Sequence, residues 1–121
     1  MLRRGLLAPT CPGTHVCPAG LIETGKTPQE ALRREVFEEA RITADAVDDP
    51  YYEGVWNDKR TVQYFLPQWR FTRPEGVALE PTDGIAEHIG FDWYTHEETQ
   101  TLTLGFLYRE AIDMLHRQGM L

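Results

Sequence analysis

Residues 20–42 read GLIETGKTPQEALRREVFEEARI, and this stretch constrains the fold more than any other. Thr27 and Glu30 stand three apart, the spacing of a capping box, in which hydroxyl and carboxylate each satisfy one orphan N–H of a helix start. Pro28 falls at the first helical position, where a missing N–H costs nothing. The pattern predicts a helix over residues 28–40. Leu32, Val36 and Ala40 repeat every four residues as an apolar stripe, which Ala31 and Phe37 widen. Glu35, Glu38 and Glu39 are then i,i+3 and i,i+4 neighbours projecting from one side. Like charges so placed repel by roughly 0.2–0.5 kcal/mol per pair on a wet helix. The cluster is either a solvated acidic face or a nest for a hard cation, Mg²⁺ or Mn²⁺. Such ions take carboxylate oxygens and fill their remaining positions with water and substrate phosphate.

The stretch as a whole resembles the Nudix box, G-x5-E-x7-R-E-U-x-E-E-x-G-U, where U is aliphatic. Gly20 fits the first position, Arg34, Glu35, Val36, Glu38 and Glu39 fit the central run, and Ile42 fits the end. Two positions depart: the box glutamate falls on Lys26 and the late glycine on Arg41. The resemblance implies an α/β fold, the Nudix-type α/β/α sandwich with a mixed sheet. It also implies Mg²⁺-dependent cleavage of a phosphoanhydride bond in a nucleotide-like small molecule. The metal, Mg²⁺ or Mn²⁺, would be held by Glu35, Glu38, Glu39 and a backbone carbonyl of Gly20 or of Ala19 beside it. Arg34 would orient Glu35 through a charge-assisted hydrogen bond. Glu35 and Glu39 would carry catalysis, and Glu87, ahead of the last strand, would add a carboxylate for metal or for the attacking water. Lys26 puts a cation beside this site. It cannot coordinate Mg²⁺, having no lone pair when protonated; it pairs with a carboxylate, holds a substrate phosphate as a point charge, or simply points to water.

The 121 residues suffice for one small domain, taken as residues 1–121. With 41% hydrophobic and 26% charged residues the composition is that of a globular chain. No apolar run nears the ~20 residues of a membrane span, and the N-terminal apolar segment is too short for a secretory signal. A cytoplasmic protein with no membrane partner is expected. The net charge of −7 argues against a nucleic-acid backbone as partner, and a polyanionic substrate would need cations to mask repulsion. Cys11 and Cys17, even with His15, fall short of a four-ligand zinc site and read as reduced thiols.

Residues 1–19, with Pro9, Pro12, Gly13 and Pro18, read as a short strand near residues 1–7 and then a loop. Nudix domains normally place a strand or hairpin ahead of the box, so the N-terminal strand is short or missing here. Either the sheet is incomplete, or a partner supplies a strand, or the natural chain begins earlier; a homodimer is the partner this expectation names. Downstream, a polar break at 45–50 precedes a strand at 51–56, a turn at 57–59 and a long strand at 60–71 in which Pro67 implies an edge or a bulge. A loop at 73–84, a short strand at 88–94 and an amphipathic helix at 104–117 follow, the helix turning Leu104, Leu107, Ala111, Met114 and Leu115 inward. Lys59 and Arg60 are either solvated cations or phosphate-binding groups. Trp56, Tyr64 and Trp69 either cover the sheet or stack on a planar base. His88 and His96 read as surface or structural.

The run Glu87–Trp93, with Tyr108-Arg109-Glu110-Ala111-Ile112, resembles the dihydroneopterin triphosphate and dATP pyrophosphatase branch. Pro18-Ala19-Gly20-Leu21-Ile22-Glu23 and Glu53-Gly54-Val55 resemble ADP-ribose pyrophosphatases instead. A nucleoside or pterin triphosphate giving monophosphate plus pyrophosphate is the first expectation, and ADP-ribose or a nucleotide sugar the second. The rival of another class is a nucleotide-binding module with weak or no turnover, which Lys26 and the short N-terminus favour.

Overall fold

Among the residues that the computed structural model describes (1–71, 79 and 88–121) the elements run β1 (Leu2–Arg4), β2 (His15–Val16), α1 (Pro28–Ala40), β3 (Ile42–Ala46), β4 (Tyr52–Trp56), β5 (Arg60–Tyr64), β6 (Gln68–Phe71), β7 (His88–Phe91), α2 (His96–Thr99) and α3 (Tyr108–Arg117). Strands and helices are mixed, as the α/β expectation requires, and the N-terminal strand is short. The loop expected at 73–84, apart from Leu79, lies outside the described residues, as does Glu87.

Helix α1 begins and ends where its sequence dictates. The Glu30 N–H donates to the Thr27 hydroxyl at 3.2 Å, and the Thr27 N–H donates to the Glu30 carboxylate at 3.1 Å. At the other end Arg41 takes a left-handed conformation, φ 54°, and its N–H donates to the Phe37 carbonyl at 2.9 Å. That conformation is why a glycine suits this position: any Cβ makes it costlier. Ala31, Val36 and Ala40 are buried. Phe37 is not part of the buried stripe, contrary to expectation; it is 44% exposed, with the Arg41 guanidinium 5.0 Å over its ring.

The described strands pair antiparallel in three small sheets, β2-β1-β7, β3-β6 and β4-β5. A lone parallel bridge joins His15 to Leu104. The β4–β5 hairpin turns at Asn57 and Asp58, both at positive φ, the primed geometry that matches strand twist. Three expectations need correcting. The long strand at 60–71 is two strands, since Pro67 has no N–H for a ladder and the chain leaves β4 at Tyr64 to join β3 at Gln68. The polar break starts later than Asp45, which lies within β3. Helix α3 starts at Tyr108, not Leu104, and a short capped turn of helix, α2, precedes it.

Leu104 and Leu107 still pack on the core from that preceding loop, beside Leu2, Val16, Tyr64, Tyr108 and Ala111. Buried hydroxyls are partnered. The Tyr108 O–H donates to the Cys17 carbonyl at 3.0 Å, and the Leu107 N–H donates to the Tyr64 oxygen at 2.9 Å. Burial raises the pKa of both phenols and of the Cys17 thiol. No described helix is long and apolar enough to cross a membrane.

Candidate active site

The i,i+4 spacing of Glu35 and Glu39 stacks them on one strip of α1, and each is tied by a contact to the chain that precedes the helix. The Ala19 N–H donates to Glu39 Oε2 at 2.9 Å. Arg34 donates to Glu35 Oε1 at 2.7 Å and to the Leu21 carbonyl at 3.2 Å. The same guanidinium meets Glu23 at 2.7 Å and stands 4.0 Å from Glu38. The Glu35 hydrogen bond, aided by the charges of Glu23, Glu35 and Glu38, raises the Arg34 pKa further and keeps it a cation. Gly20 passes so close that a Cβ there would overlap the Glu35 carboxylate. Only glycine lets the loop lie against this side chain.

Glu35, Glu39 and Gly20 open onto a cleft of about 970 Å³, whose lining includes Tyr51, Phe106 and Arg60. Burial pushes the Tyr51 phenol up to about 12, so it is a neutral hydrogen-bonding group there. The other anticipated residues divide. Arg60, the first residue of β5, reaches the cleft, whereas Lys59 stays exposed in the hairpin turn and does not line it. Lys26 is exposed, and among the described residues its ammonium has no ion-pair partner, so it is not swung onto the acidic cluster. The Glu38 side chain, expected as a third metal ligand, is 58% exposed and does not line the cleft. His88 and His96 both line the cleft; His96 is bound to Asp113 at 2.8 Å and stacked on His116.

Of the three aromatics, Tyr64 is core and borders the cleft, Trp56 packs on Phe106, and Trp69 stacks on Trp93 beside a separate cavity of about 270 Å³. Trp56 and Trp69 therefore do not converge with the carboxylates. The residues that sequence reasoning missed are Glu23, the Ala19 amide, Tyr51 and Phe106. Only Glu23 had a legible signal, an acid in the loop just ahead of the helix cap.

The two side chains that α1 turns to the cleft, Glu35 and Glu39, offer carboxylate oxygens, the donors that Mg²⁺ or Mn²⁺ prefers. Among the described residues no three His, Cys, Asp or Glu side chains close on one point. A cation there would have Glu35 and Glu39 as its side-chain ligands, with the Ala19–Gly20 backbone alongside, and would fill its other positions with water and substrate phosphate.

A family profile of the NUDIX domain matches residues 1–115 of this chain. The crystal structure of MutT protein from Methanosarcina mazei Go1 is similar to it, with a TM-score of 0.74 at 24% identity, over 99% of this chain and 83% of that one. At that identity the likeness speaks for the fold. No curated protein matches the chain significantly.

Proposed function

The chain belongs to the NUDIX domain family, and from that premise we propose that it is a pyrophosphohydrolase, cleaving a phosphoanhydride bond of a substrate that carries a nucleoside diphosphate or its pterin equivalent. The observation that carries this reading is the pair Glu35 and Glu39, fixed on the cleft side of α1 by Arg34 and by the Ala19 amide. Glu35 and Glu39 would hold Mg²⁺ or Mn²⁺, whose chemistry when bound is to neutralise the charge that develops on the phosphates. The chain's own residues do the positioning. Arg34 occupies Glu35 Oε1, which would leave the other oxygen of that carboxylate for the cation. Gly20 keeps the loop low enough for the polyphosphate to approach. Arg60, which lines the cleft, would hold a phosphate through the planar fork of its guanidinium, a role that Lys59 and Lys26, outside the lining, would not share. Tyr51 and Phe106 offer apolar faces to a planar base or pterin.

A triphosphate that releases pyrophosphate is the first substrate class, on the likeness of Glu87–Trp93 and residues 108–112 to that branch. ADP-ribose is the second, on the likeness of residues 18–23. Product release from nucleoside triphosphates, dihydroneopterin triphosphate and ADP-ribose, with and without Mg²⁺, tests the reading. Metal-dependent turnover of one of them is expected. Tight nucleotide binding with no product from any would instead identify a binding module.

A further inference from the structure

Arg34 carries more than the orientation of Glu35 requires. The two residues are adjacent on α1, so their side chains leave the helix about 100° apart. The guanidinium must fold back to reach its neighbour, and a long side chain left 30% exposed does not hold such a shape unaided. Its other arm is gripped from outside the helix: Nη1 meets Glu23 Oε1 at 2.7 Å, while Nη2 serves Glu35 and the Leu21 carbonyl. The planar fork thus spans two carboxylates from two segments, and fixing one end fixes the other. Glu23 is itself set by a turn, in which the Lys26 N–H donates to the Glu23 carbonyl at 3.0 Å and Gly25 sits at φ 82°. Glu23 and Lys26 are therefore the two ends of one turn. The box has its carboxylate at the position of Lys26; this chain has a carboxylate at the opposite end.

We propose that Glu23 is a positioning residue of the active site: it clamps Arg34, and through Arg34 sets the Glu35 carboxylate for its cation. The proposal rests on the reading of Glu35 as part of a hydrolase site. An exposed ion pair contributes little to stability, so the effect of Glu23 is expected in the site and not in the melting temperature.

The test is a set of variants, Glu23→Gln, Glu23→Asp, Arg34→Gln, the Glu23→Gln/Arg34→Gln pair and the Glu23→Gln/Lys26→Glu pair. Mn²⁺ affinity is measured by electron paramagnetic resonance on the protein without substrate, then kcat and KM on a substrate found above. Glu23→Gln is expected to weaken Mn²⁺ binding about tenfold, the lower end for loss of an outer-shell partner. It should lower kcat with little change in KM, at an unchanged Tm. Glu23→Asp should recover part of the loss, and so should Lys26→Glu, by returning a carboxylate to the turn. In the Arg34→Gln background Glu23→Gln should add nothing. Wild-type Mn²⁺ affinity in a folded Glu23→Gln protein would overturn the proposal, as would additive losses in the pair or a wild-type chain that binds no Mn²⁺. Mn²⁺ affinities that follow this pattern without hydrolysis of any substrate would uphold Glu23 and defeat the hydrolase reading. Metal-dependent hydrolysis untouched by Glu23→Gln would do the reverse.

Discussion

Gly20 and Glu39 separate what the site needs from what the fold needs. A methyl group at Gly20 meets the Glu35 carboxylate, so Gly20→Ala must displace either the loop or the acid. We expect it to cut turnover at least about tenfold, the scale on which small misplacements near chemistry act, with circular dichroism unchanged. Glu39→Gln is gentler on the fold, because an amide oxygen can still accept from the Ala19 N–H. It removes the charge that faces the cleft. Loss of one well-placed stabilising group is worth roughly 2.7–4 kcal/mol, so turnover should fall by at least about two orders of magnitude. Near-wild-type kinetics in a folded Glu39→Gln protein would remove that residue from the site.

At the scale of elements, α1 is the piece on which the rest of the site is mounted, and its start hangs on one hydroxyl. Thr27→Ala removes half of the capping box and should lower unfolding free energy by about 0.5–2 kcal/mol in urea titration. The bounds of this helix were legible in the sequence because what sets them is local: Thr27, Pro28, Glu30 and a four-residue repeat; the place of Phe37, set by packing, was not. The strands were legible only in part. The β4–β5 hairpin announced itself through Asn57-Asp58, but β3 could not be read, because residues 42–46 become a strand only by finding β6 across the hairpin. The site followed the same divide. Glu35, Glu39, Arg34 and Gly20 come from the box and its neighbours, whereas Tyr51 and Phe106 reach the cleft only through tertiary packing.

The whole molecule has an alkaline limit written into its core. Burial raises Tyr51, Tyr64 and Tyr108 above the ordinary tyrosine pKa of 10.0. Above that pH the unfolded chain releases phenolic protons that the folded chain retains, so stability is full below pH 10 and falls as pH rises. Thermal melts should show Tm level to about pH 9.5 and dropping through pH 12, less steeply in Tyr51→Phe. The surface also carries large apolar groups, Leu6 at 80% and Leu7 at 83% exposed, with Trp93 at 60%. Sedimentation velocity should show weight-average mass rising with concentration, and Leu6→Ser/Leu7→Ser should reduce it; a monomer at every concentration would contradict this. The ties that fix the acidic strip also have a kinetic meaning. Arg34 reaches Leu21, and Glu39 reaches Ala19, across 13 and 20 residues of chain, whereas Tyr108 must find Cys17 across 91. Closing short loops loses less chain entropy, so pulsed hydrogen exchange during refolding should protect α1 before β1 and β7. The carboxylates would then stand in order while most of the core is still assembling.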